Sequence, residues 1–171
     1  RNCINRGDIT IKGTIKGRFG GLHGGSGNLV NCKNYGEVKI ENANASSAIG
    51  GIAGFHSNGK KVEGCISKGN VTSVSTITGG IGGLIGNMGN VDHTTGENCV
   101  VDCTIVGGSV TNAGMVVGKF NGPAEGAERK RIVLGPLEVS GTVNGNPASA
   151  SNLCGTDNYV PEYHTINATI K

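Results

Sequence analysis

Cys3, Cys32, Cys65, Cys99, Cys103 and Cys154 have the widest chemical reach of any side chains in this chain. Cysteines can form disulfides, hold metals or act as nucleophiles. Their placement separates these uses. Four of them share one position of a recurring unit, Asn-Cys-x-x-x-Gly-x-Val, and a fifth copy carries Leu137 there. A position that takes Cys or Leu asks for a compact apolar group, and a free cysteine behaves as one. Cys3, Cys32, Cys65 and Cys103 are therefore expected to be buried thiols in a ladder, whose dihedrals suit disulfides poorly. Cys99 lies four residues before Cys103 and is the expected exception, while Cys154 has no evident partner.

Other chemistry is thinner. Asp92, His93, Glu97 and Cys99 supply zinc-ligand types, but their spacing matches no zinc arrangement, and a solvated loop is expected there. No metal and no cofactor is expected. Gly24-Gly25-Ser26-Gly27-Asn28 lacks the aspartate of a calcium nonapeptide. There is no G-x-S-x-G elbow, and His23, His56 and His93 fall at different offsets of their repeats, which argues against a triad. One outward column pairs two acids, Asp8 and Glu37, followed by Asn70, then Gly108 or Ser109, then Thr142. Hydrolysis by two carboxylates would need them converging at roughly 5 to 9.5 Å. An accidental pair on a solvated strand is the expectation. Gly50 to Gly54 lacks the G-K-[ST] ending of a phosphate loop. Sequons at Asn44, Asn70 and Asn167 are what an Asn-rich chain produces by chance. The chain is expected not to be an enzyme.

These residues must be held by strands. Glycine supplies 32 of 171 residues, against a norm of about 7%. Val and Ile together number 31, Leu only six, and Trp is absent. Glycine interrupts nearly every stretch that a helix bundle would need. It follows no G-X-Y period, which excludes collagen, and the β-branched content is too high for disorder. No apolar run reaches the roughly 18 residues of a membrane span. The net charge is +3, with the basic residues scattered except for Arg129, Lys130 and Arg131. Nucleic-acid binding would show a basic stripe and is not expected. The chain starts at Arg1 with neither initiator Met nor signal peptide, as expected of a piece of something longer, with flanking domains.

The repeats set the architecture. The cysteine unit runs as Asn2-Cys3-Ile4-Asn5-Arg6-Gly7-Asp8-Ile9, then Asn31-Cys32-Lys33-Asn34-Tyr35-Gly36-Glu37-Val38, then Gly64-Cys65 to Val71. Asp102-Cys103 to Gly107 reads as the fourth copy, with its valine one place late at Val110. A second unit alternates with it: Gly21-Leu22-His23-Gly24, Gly51-Ile52-Ala53-Gly54, Gly83-Leu84-Ile85-Gly86 and, more loosely, Gly114 to Gly118. Both share a period of about 30 residues. Glu37-Val38-Lys39-Ile40-Glu41 alternates charged and β-branched residues, as a half-buried strand does. Three strands of five to seven residues fit one period. The expected fold is all-β, a parallel β-solenoid of about five turns over 1–143, with 144–171 as a degenerate last repeat or irregular cap. An antiparallel sandwich of double hairpins is the alternative.

Gly20-Gly21-Leu22-His23-Gly24 followed by Asn31-Cys32-Lys33-Asn34-Tyr35-Gly36-Glu37-Val38 resembles the GLUG repeat of bacterial surface proteins. The resemblance covers residues 1 to about 118 and fades over 119–143. It implies a non-catalytic module of a secreted or cell-surface bacterial protein, adhesin-like or a stalk, with no membrane insertion. The alternative it implies is an accessory domain of a larger secreted peptidase or glycan-degrading enzyme. The expected partner is a host glycan or an extracellular-matrix protein. Insertions at 87–98 and 119–131 follow the same unit on consecutive turns, so they are expected side by side, with His93, Lys119, Phe120, Arg129, Lys130 and Arg131 favouring an anionic partner.

Overall fold

A computed structural model of the protein describes residues 1–14, 16–42, 46–57, 59–89, 94–107, 112–121, 131–157 and 164–171. Within them the chain is all-β, a parallel solenoid of about four turns, with a single 3-10 turn at Ala150–Asn152. No helix among the described residues is long and apolar enough to cross a membrane.

One long sheet carries the cysteine unit. Its first row stacks β1 (Ile4–Asn5), β5 (Lys33–Asn34), β10 (Ile66–Ser67) and the start of β15 (Cys99–Gly107). Its second row stacks β2 (Ile9–Ile11), β6 (Val38–Ile40), β11 (Val71–Ser73) and the end of β15. The strand β18 (Ile132–Val143) then lies parallel on β15, and β21 (His164–Ile170) on β18. The glycine unit makes two further parallel sheets. One stacks β3 (Arg18–Gly20), β7 (Ala48–Gly50), β12 (Ile81–Gly82) and β16 (Ala113–Gly114). The other stacks β8 (Ala53–His56), β13 (Ile85–Met88), β17 (Val117–Phe120) and β20 (Cys154–Asp157). A two-stranded sheet, β4 (Leu29–Val30) on β9 (Val62–Glu63), closes the circuit.

A complete early circuit thus has five strands of two to four residues, not three longer ones. The residue preceding each cysteine explains the cuts. Asn2, Asn31, Gly64 and Asn98 all have positive φ, between 53° and 59°. Asn and Gly are the residues that adopt this left-handed conformation readily. The Asn-Cys dipeptide is a corner followed by an inward side chain.

That corner also corrects the fourth copy. Ile4 pairs with Lys33, Lys33 with Ile66, and Ile66 with Val100. The residues before them are Cys3, Cys32, Cys65 and Cys99, and Cys99 pairs onward with Leu137 and Leu137 with Ala168. Cys99 is therefore the fourth rung of the thiol column. Cys103 pairs with Gly141 and stands where earlier turns carry Gly36 and Gly69. It fits because β15 runs unbroken through the position at which turns two and three break.

The C-terminal segment continues the coil. Val116 donates its backbone N–H to the Leu153 carbonyl at 2.9 Å, extending an apolar corner column of Ile52, Leu84 and Val116. After β18 the chain folds back in a short antiparallel pairing with β19 (Asn146–Pro147), so the last circuit has no strand in the β3–β16 sheet among the described residues. This is why the coil has about four turns where the repeat count gives five.

Candidate functional site

Three places gather the residue types that could bear chemistry: the acid column, the thiol column and the two insertions. The acid column exists in register. Ile9 pairs with Val38, Val38 with Val71, Val71 with Ile105 and Ile105 with Val143. The residues before them are Asp8, Glu37, Asn70, Thr104 and Thr142. The fourth member is thus Thr104, not Gly108 or Ser109, for the same reason that Cys99 displaces Cys103.

The column's side chains complete the backbone rather than converge on a cleft. An Asp8 carboxylate oxygen accepts the Glu37 N–H at 2.8 Å, and the Asn70 Oδ1 accepts the Thr104 N–H at 3.0 Å. Glu37 accepts the Thr72 hydroxyl at 2.8 Å. The same device recurs at two further corners. Asn28 Oδ1 accepts the Lys61 N–H at 2.9 Å, and Ser26 Oγ accepts the Ser57 N–H at 3.0 Å. Each satisfies a backbone donor one turn further on, between strands at Glu37, Ser57 and Lys61 and within β15 at Thr104. Recurrence of a short polar side chain about 30 residues before such a donor is the signal that would have found them.

Compared with family models, with curated proteins and with solved structures, the chain finds no significant match.

The thiol column is closed over most of its length. Cys32, Cys65 and Cys99 are buried and Cys3 is exposed, and all four are free thiols. Cys65 donates its backbone N–H to Cys99 Sγ at 3.3 Å. The hydrogen bond with Cys65, and then burial, push the Cys99 thiol up from its ordinary range. Burial, and then the charge of Asp102, push Cys103 up to about 12. Both effects keep these sulfurs protonated and inert. Of the candidate zinc ligands, Asp92 and His93 lie outside the described residues, Cys99 points into the core, and Glu97 bridges to Glu63 on the turn before. No group of three ligands able to hold a metal occurs among the described residues.

The insertions spring from neighbouring rungs. Asn87 pairs with Lys119 and Met88 with Phe120, at the end of β13 and β17. The chain returns in β14 (Thr94–Thr95) and β18, where Thr94 pairs with Val133. His93, Arg129 and Lys130 lie outside the described residues. Lys119 is half-buried with its ammonium 3.3 Å from the Thr78 carbonyl, and Arg131 is exposed. Phe120 does not belong to a loop face. It is fully buried, with its ring centroid 4.8 Å from that of His164. Alternation along β17 explains this: Lys119 points out, so Phe120 points in.

The outer face of the long sheet carries a second polar row. Arg6 lies over the Tyr35 ring at 5.3 Å, Lys68 pairs with Asp102 at 3.3 Å, and the Ser140 hydroxyl donates to Asp102 at 2.9 Å. On the β8 side Arg18 stacks on Phe55 at 3.7 Å. These groups brace successive turns against one another.

Proposed function

We propose that the chain is a non-catalytic repeat module of a bacterial secreted or cell-surface protein, of the GLUG type, that grips an anionic host glycan or extracellular-matrix protein through its two insertions. The observation that carries this reading is the paired origin and paired return of the insertions, at Asn87 beside Lys119 and at Thr94 beside Val133. Two loops leaving adjacent rungs of a braced coil can act as one surface, and loops on a rigid scaffold are where binding residues concentrate. Lys119, Arg129, Lys130 and Arg131 are the basic residues of the insertions, which also carry Asp92, Glu97, Glu125 and Glu128. The acid pair supports the same reading, because Asp8 and Glu37 are engaged in holding turns together.

The test is an array of glycans and matrix proteins probed with the purified chain, multimerised so that weak binding registers through avidity. Saturable binding that vanishes when 90–93 and 122–130 are replaced by short linkers is the expected result. Binding that survives the replacement, or silence from a chain verified as folded, overturns the proposal.

A further inference from the structure

The interior of the thiol column brings sulfurs of successive turns together. Cys99 Sγ accepts the Cys65 backbone N–H at 3.3 Å, and the two thiols are hydrogen-bonded to each other. Both sit in interior turns, and their spacing is fixed. Strand β10 is paired on both sides, to β5 and to β15, with Ile66 opposite Val100. Parallel rungs lie about 4.8 Å apart. A metal–thiolate bond runs about 2.3 Å, so an ion with two sulfurs in line spans about 4.6 Å. The rung spacing thus matches the span of a linear two-coordinate site. Cys32 is one rung further away, roughly 9.6 Å from Cys99, too far to share the same ion.

The surroundings favour a cation. The carbonyl oxygens of Leu29 and Glu63 each lie 3.4 Å from Cys65 Sγ. The hydrogen bond from Cys99 lowers the Cys65 thiol to about 7, and the same bond, with burial, pushes Cys99 up. Above neutral pH the pair therefore holds one shared proton. The charge of Glu63 also reaches Cys99. Two thiolates in line, with no group of three ligands among the described residues, suit a soft monovalent ion and not zinc.

We propose that Cys65 and Cys99 form a two-coordinate site for a soft monovalent cation, Cu(I). The cation takes the place of the shared proton. One S–H bond breaks, one copper–sulfur bond forms at each sulfur, and one proton leaves to solvent. The charge of the pair and the oxidation state of copper stay unchanged. Burial turns away bulky thiol reagents, but a bare ion is smaller. A cavity of about 390 Å³, lined in part by Asn98, Cys99, Pro136 and Glu138, brings solvent to the corner beside the pair. The bound ion ties the third turn of the coil to the fourth.

The test uses the folded full chain carrying Cys3→Ser and Cys154→Ser, which removes the exposed and the half-buried thiol. Cu(I) is offered anaerobically from a chromogenic chelator at mildly alkaline pH. Native mass spectrometry and X-ray absorption at copper read the result. One copper per chain, bound by two sulfurs and raising the melting temperature, is expected. Cys99→Leu, which places there the residue of the next rung, should keep the fold and lose the copper. Cys65→Ala should lose it too, while Cys32→Ala and Cys103→Ala should retain it. Circular dichroism verifies that each variant is folded. A folded parent chain that takes up no copper, copper retained in folded Cys99→Leu or Cys65→Ala, copper lost from folded Cys103→Ala, or copper bound by three sulfurs overturns the proposal.

Discussion

The carboxylate of Asp8 accepts the backbone N–H of Glu37 at 2.8 Å, across one turn of the coil. Asn70 performs the same service for Thr104. An acid and an amide are thus interchangeable in this column, which is a property of an acceptor and not of a proton donor. Asp8→Asn should leave stability unchanged, while Asp8→Ala should lower it by about 0.5–1 kcal/mol at this exposed position. Urea unfolding of the two variants beside the parent chain reads the difference.

Gly69 stands on a rung where an added Cβ would collide with the Gly36 carbonyl. Gly69→Ala should cost about 3 kcal/mol, because backbone, not a movable side chain, occupies the space. Cys103 is in register with Gly69 yet has room on the unbroken β15, so Cys103→Ala should cost only about 1 kcal/mol. Melting temperatures of the two variants should differ widely. Equal losses would contradict the register.

The Ser140 hydroxyl, and then the Lys68 ammonium, hold the Asp102 carboxyl below its ordinary range. A carboxyl depressed in the folded state stabilises above its unfolded pKa, and that stability is lost as pH falls through the folded one. The melting temperature should therefore decline as pH drops below about 4. Asp102→Asn should flatten that decline slightly, by a fraction of 1 kcal/mol, because the pair is half-exposed and screened by solvent. A pH series of melts on the two chains is the measurement.

Cys32, Cys65, Cys99 and Cys103 are buried, and the last two have raised pKa values. A colorimetric thiol reagent should label Cys3 quickly in the native chain and Cys154 more slowly. The remaining four should react only when denaturant unfolds the coil. Fast native labelling of Cys99 would contradict its place in the core.

Much of this was legible in the residues. The period, the parallel coil, the column of Cys3, Cys32, Cys65 and Leu137, and the alignment of Asp8, Glu37, Asn70 and Thr142 all follow from spacing. The fourth turn was not, for a definite reason. Cys103 to Gly107 repeats the four-residue interval of Cys32 to Gly36, so spacing alone favours the wrong cysteine. The discriminating signs were Asn98, which repeats the left-handed corner of Asn2 and Asn31, and the misplaced Val110. Phe120 was misread because it adjoins Lys119 at the edge of an insertion, although one position of strand alternation reverses its direction. The segment 144–171 could be read only as a degenerate last repeat or a cap, because the paired glycines shrink there to Gly155 and Ala168 stands in the cysteine column.

The register of the coil underlies every site assignment, and through-hydrogen-bond scalar couplings in a long-range NMR experiment read it directly. Couplings are expected from the Lys33 amide to the Cys3 carbonyl, from Ile66 to Cys32 and from Val100 to Cys65, matching bonds of 2.8, 2.9 and 2.9 Å. A coupling from the Thr104 amide to the Cys65 carbonyl, in place of the one from Val100, would put Cys103 in the column and contradict this register.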